Sequence, residues 1–177
     1  MTVRFGTSDD VDWLRDPTAS GGLTITAAIP PVFAKYATVV VPDDDDSRRA
    51  HDEHVVSTLR RESTDPAWWF GFLDTGADPL PVADAPRVRL YAGWHYVLMR
   101  GSPEDALQLR PSESCRRLPD LVFPADRSWL VSTLWDDDWR CVGGPASLVD
   151  ALVGSPALVA REVPLGEDST PPGHTAS

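Results

Sequence analysis

The chain has 177 residues, 42% of them hydrophobic and 24% charged, which is the make-up of a soluble globular protein built as one domain. Twenty-seven acidic residues against sixteen basic ones give a formal net charge of −11. Such a charge repels nucleic acid and anionic membrane, so neither is expected as a partner, and it favours a basic protein or a cation.

In chain order, residues 1–22 are polar and read as an irregular N-terminal segment, with Trp13 and Leu14 as a docking point. LTITAAI (23–29) reads as a strand stopped by Pro30 and Pro31. ATVVVP (37–42) is a second β-branched run. Four aspartates at 43–46 then lead into SRRAHDEHVVSTLRRE (47–62), a helix with acids at its start and arginines at its end. WWFGFLD (68–74) is an aromatic strand ended by the turn-forming TGADPLP.

RVRLY (87–91) and WHYVLMR (94–100) form a hairpin across Ala92 and Gly93. Ser102 and Pro103 open a short helix, PEDALQLR (103–110), and 111–120 is a loop. A second hairpin occupies 128–143, PASLVDALV (145–153) is a helix ended by Gly154, and ALVAREV (157–163) is a last strand. The tail at 164–177 has little to bury and reads as disordered. The fold expected is a single α+β domain at 23–163, a mainly antiparallel sheet of two hairpins and further strands packed with three short helices.

The sequence WDDDW (135–139) is the most distinctive motif. A three-residue loop at Asp136, Asp137 and Asp138 sets Trp135 opposite Trp139. It also puts Trp129, Val131, Thr133, Trp135, Trp139 and Cys141 on one face. Such a loop is either a solvated turn, since turns favour Asp for local reasons, or a rigid acidic prong that accepts arginines. Calcium fits poorly, because the alternating ligands and glycine of an EF-hand loop are absent.

His51 and His54 share a helical face and could meet a metal with Asp52 or the aspartates at 43–46, but they offer only two nitrogens. Gly143 and Gly144 at a helix entry suit either an approaching anion or a tight turn, far short of a phosphate-loop fingerprint. His95 is expected on the face of Val88, Leu90, Val97 and Met99; beside Asp126 and Arg127 in a cleft it becomes a general base. Cys115 and Cys141 form no C-x-x-C, and MTVRFGTSDDVDW lacks the apolar core of a signal peptide. No apolar run approaches the roughly 20 residues of a membrane span. A cytoplasmic protein with reduced thiols is therefore expected. Aspartate over glutamate, and arginine over a single lysine (Lys35), suit a GC-rich bacterial genome.

Three elements recur together: IPPVFAKYATVVVP (29–42), YVLMRGSPEDALQL (96–109) and LPDLVFPADRSWLVSTLWDDDWRCVGGPASLVDAL (118–152). In them the chain resembles a family of small uncharacterised bacterial proteins with the pattern PADRSW…VGG…LVDAL. The resemblance implies a common fold, and no activity or site. The stretch after the strand is less acidic in that family, so WDDDW belongs to this branch. Size and acidity are also reminiscent of bacterial immunity proteins, by analogy alone, since their defining motifs are absent.

The expected function is a non-catalytic binding module, without cofactor or metal. It docks a basic protein partner through Trp135, Asp136, Asp137, Asp138 and Trp139. The alternative is a small metal- or ligand-dependent enzyme, such as a hydrolase, using His51, His54 and the aspartates at 43–46. A third option is a subunit whose apolar faces are covered by its own copies.

Overall fold

A computed structural model describes residues 4–14, 22–76, 80–109, 118–134 and 137–175. Among them, nine strands make one sheet. They are β1 (Arg4–Phe5), β2 (Lys35–Val40), β3 (Trp68–Leu73), β4 (Arg87–Leu90), β5 (Trp94–Gly101), β6 (Leu121–Pro124), β7 (Leu130–Ser132), β8 (Trp139–Gly144) and β9 (Ala160–Glu162). The order is β1-β5-β3-β6-β7-β8-β2-β9, with β4 beside β1 on the same edge of β5. Every pairing is antiparallel. With helices α1 (Ser8–Val11), α2 (Asp45–Glu62) and α3 (Ala146–Val153), the architecture is α+β, as the pattern predicts.

The sheet is buried on both faces, and the alternation along β3 shows how. Trp68, Phe70 and Phe72 join Val55, Leu59, Leu148 and Leu152 in a core beneath α2 and α3. Trp69 points the other way, into a second core with Leu98, Phe123, Val11 and Ile29. No long helix among the described residues lies over that second face. It is covered by α1, by single 3-10 turns at Asp12–Leu14 and Ile25–Ala27, and by the chain after β9.

Helix α2 starts two residues before the expected 47–62 and ends where expected, at Glu62. Asp44 caps it by accepting a hydrogen bond from the Ser47 amide at 2.9 Å. Asp45 and Asp46 occupy the first turn and Arg60 and Arg61 the last. No helix among the described residues is long and apolar enough to cross a membrane.

Five expectations change. The segment expected to be irregular at 1–22 carries β1 and α1 in its described part. Residues 23–29 are not a strand: Thr24 makes one bridge to Asp168, and Ile25–Ala27 is a 3-10 turn. The buried residues there, Ile25, Ala28 and Ile29, follow helical spacing, not alternation. Pro103–Leu107 is likewise a 3-10 turn, closed by Asp105 accepting from the Ser102 amide at 2.7 Å.

The second hairpin forms one register away from the expected one. Val131 pairs with Val142, so Val131 and Cys141 lie on opposite faces. Trp129 and Val131 enter the core under the helices, where Trp129 meets Trp68 edge-to-face at 4.8 Å. Trp139 and Cys141 enter the second core.

The tail, expected without order, is fastened as far as His174. The Ser169 amide donates to the Leu23 carbonyl at 2.6 Å, and Arg161 donates to the carbonyls of Asp168 and Thr170 at 2.5 and 3.0 Å.

Candidate functional site

The last residues of β2 run alongside the start of β8, with Val40 paired to Trp139. The Val41 amide donates to the Asp138 carbonyl at 2.8 Å. Pro42 and the aspartates at 43–46 follow at once. Two acidic runs far apart in sequence therefore meet at one corner of the sheet.

Most of the charge there is locally engaged. The carboxyl of Asp44 is held below its ordinary value by hydrogen bonds from Ser47. Arg48 gathers the loop, donating to the carbonyls of Pro42 and Asp43 at 3.0 and 2.6 Å and to the Asp45 carboxylate at 3.1 Å. Asp138 takes His174 from the tail, Oδ2 to Nδ1, at 2.7 Å. The carboxylates of Asp43 and Asp46 are exposed and have no hydrogen bond or ion pair among the described residues.

Of the five residues expected to form the contact patch, Asp137 and Asp138 lie at this corner. Trp135 and Asp136 lie outside the described residues, as does Cys115. Trp139 is not an exposed contact residue: it is 2% exposed and packs edge-on to the His174 ring, with centroids 6.2 Å apart.

Beneath the corner sits a buried ionic cluster. Arg140 projects from β8 toward α2, and its Nη1 lies 3.0 Å from Oδ1 of Asp52. Nδ1 of His51 approaches the same oxygen at 3.1 Å and Arg140 Nη1 at 3.4 Å. His51, Asp52 and Arg140 are 5%, 4% and 3% exposed. Nε2 of His51 has no hydrogen-bond partner among the described residues.

His54, one turn on, faces elsewhere: its Nε2 is 2.8 Å from Oγ of Ser155. The two histidines do not converge, and no group of three His, Cys, Asp or Glu among the described residues is placed to hold a metal.

His95 is exposed and aligned with Arg89, whose Nε donates to its Nε2 at 3.1 Å. It shares a face with Val97 and Met99 as expected, whereas Val88 and Leu90 lie on the other side in the second core. Strand β3 pairs with Pro124 at Trp68 and with Tyr96 at Leu73. His95 and Asp126 therefore stand beyond opposite ends of it, roughly 25 Å apart at about 3.3 Å per residue. Asp126 closes its own turn, accepting from Thr64 at 3.2 Å and from the Ser128 amide at 3.0 Å.

Gly143 and Gly144 are buried packing positions. A Cβ at Gly143 would meet Phe33 at 2.5 Å and Ile29 at 2.6 Å, and one at Gly144 would meet Leu148 at 2.9 Å. The thiol of Cys141 is pushed up to about 12 by burial, which removes the thiolate that reactivity requires.

A shallow cleft of about 300 Å³ runs between the end of α2 and the 103–107 turn. It is lined by Arg60, Ser63, Thr64, Asp65, Ser102 and Glu104, and the Arg60–Glu104 ion pair at 2.7 Å crosses it. None of the candidate binding, catalytic or metal-ligating residues named from the sequence lines this cleft.

No protein-family model matches the chain, nor does any curated protein or solved structure.

Sequence reasoning missed Arg140, and it weighed Asp52 only as a metal ligand beside His51 and His54, not as the buried partner of an arginine. A signal existed for both. Asp52 falls three and seven residues before Val55 and Leu59, on the apolar stripe of α2. Arg140 is flanked by apolar residues in a strand buried along its length.

Proposed function

We propose that this protein is a non-catalytic binding module whose acidic corner docks a basic protein partner. The convergence of the aspartates at 43–46 with Asp137 and Asp138 carries the reading. Two of these carboxylates, Asp43 and Asp46, are unpaired among the described residues, and the Asp52–Arg140 cluster fixes α2 to β8 directly below them. The His174–Asp138 pair is an example within the chain of a nitrogen donor accepted by a carboxylate at this corner. Arginine-rich segments are the favoured complement, because a guanidinium grips a carboxylate with two donors. The reading uses the corner, not the tryptophans, as contact surface. The alternative of a metal- or ligand-dependent enzyme would need His51 and His54 to act together, and they face different partners.

The test compares capture from native lysate by the wild type and by the variant Asp43→Asn/Asp46→Asn/Asp138→Asn, read by mass spectrometry. A basic protein held stoichiometrically by wild type and lost by the variant is expected, with Tm changed by less than about 2 °C. Equal capture by both removes the corner as the docking site.

A further inference from the structure

Diagonally across the sheet from the acidic corner lies its electrostatic opposite. Arg4 of β1 pairs with Arg100 of β5, and Arg100 pairs with Trp69 of β3, so the three side chains stand in a row on the second face. The guanidinium carbons of Arg4 and Arg100 lie 5.4 and 5.6 Å from the centroid of the same Trp69 ring. Both approach it from the same side, because β1 and β5 are both on that side of β3. Farther along this face Phe123 and Trp13 follow, and Arg127 stands 5.6 Å over Trp13.

Like charges directly opposite on paired strands destabilise a sheet. The usual remedy is a carboxylate, and this chain has twenty-seven acidic residues to supply one. Neither Arg4 nor Arg100 has a carboxylate within 4.0 Å or a hydrogen-bond acceptor for its guanidinium among the described residues. Contact with the Trp69 ring favours each cation, but the ring face offers no acceptor to the N–H donors of either. Trp69 itself is only 4% exposed, so the arginines and not the ring meet a ligand. Arg4 is exposed and Arg100 half-buried.

We propose that Arg4 and Arg100 form an anion site for a tetrahedral dianion, the phosphate group of a phosphorylated ligand. Its oxygens accept charge-assisted hydrogen bonds from both guanidiniums and remove the repulsion between them. The site is independent of the acidic corner and does not rest on the partner reading.

The test measures Tm of the full chain in inorganic phosphate, in sodium acetate and in sodium chloride at matched ionic strength, with calorimetric titration of inorganic phosphate alongside. At phosphate well above its dissociation constant, wild type is expected to gain on the order of 3 °C over chloride. Acetate gives a smaller gain, and a gain as large as that of phosphate assigns the site to carboxylates and overturns the proposal. Arg4→Gln and Arg100→Gln each abolish the phosphate response while leaving Tm in chloride unchanged or raised, since one variant removes the repulsion. Arg49→Gln, an exposed arginine on α2, retains the response. No phosphate response in wild type overturns the proposal, as does a response that survives in both Arg4→Gln and Arg100→Gln. An intact response together with a lowered Tm in chloride marks the two arginines as a cover for Trp69.

Discussion

Along α2, Asp46 stands in solvent without a partner among the described residues, while Asp52, about 9 Å further along the axis, is 4% exposed and shared between Arg140 and His51. One carboxylate is tied into the fold and the other is left over. Burying Asp52 with Arg140 costs desolvation of both ions, so the pair adds little net stability. Removing one partner, however, strands a buried charge. Asp46 adds to the self-repulsion of an already acidic chain, and its return is only the weak, salt-screened interaction of an exposed acid with the start of α2. The difference teaches where function is to be sought: in the charge that the fold does not use.

The sharpest way to break this comparison is Asp52→Ala. It leaves Arg140 buried beside His51 and is expected to lower unfolding free energy by about 3–5 kcal/mol, measured by urea denaturation. The double variant Asp52→Leu/Arg140→Met removes both ions and is expected to recover most of that loss. A single-variant loss below about 1 kcal/mol, in the range of surface pairs, would mean that the cluster does not hold α2 to β8.

Gly143→Ala comes next, on the strand that carries Arg140. Its new methyl group must displace Phe33 and Ile29, which approach to 2.5 and 2.6 Å, and overpacking of this kind costs about 1–3 kcal/mol. If inorganic phosphate or another anion instead stabilised the wild type through this glycine pair, Gly143→Ala would lose that response. Packing alone predicts the same loss of stability in every buffer.

These two positions also show what is legible in the sequence. Helix α2 is readable because its cap, first-turn acids and last-turn arginines are all local signals, spaced within the helix itself. The strands are readable from β-branched and aromatic runs. The pairing of β7 with β8 is not, because register depends on how many residues the turn consumes, and three aspartates in a row suggest three. The actual register sends Trp129 and Trp139 to opposite cores.

The acidic corner is half legible. Each aspartate run is plain in the sequence, but their meeting depends on β2 and β8 being neighbours, which only long-range pairing decides. Asp52 and Arg140 look like surface charges because burial of an ion is the less common outcome. The Arg4–Arg100–Trp69 row needs three strands in register and has no local signal at all.

Between the buried and the surplus aspartates stands Asp44, exposed but used as the cap of α2. Asp44→Ala is expected to destabilise less than Gly143→Ala, and Asp44→Asn, which keeps a capping oxygen, less again. Hydrogen bonds from Ser47 set the folded-state value of Asp44 below its ordinary 3.8. Its contribution is therefore complete above that pH and is lost as pH falls through the lower folded value. The gap in Tm between wild type and Asp44→Ala should accordingly narrow below about pH 4. A gap that stays constant down to pH 2 would show that the cap acts without its charge.

The smallest effect belongs to Asp43→Asn/Asp46→Asn, and it is the most informative about surplus charge. Neither carboxylate has a partner to lose among the described residues, so Tm should stay within about 2 °C of wild type or rise slightly. Salt separates surplus charge from mere exposure. Four consecutive aspartates crowd within a Debye length of one another, and sodium chloride screens their repulsion. Wild-type Tm should therefore climb with sodium chloride between about 0.05 and 0.5 M, and the variant's should climb less. Equal slopes would mean that Arg48 and the start of α2 already neutralise the run. Asp43 and Asp46 would then be bound into the fold no less than Asp52, and the corner would have no free charge to offer a partner.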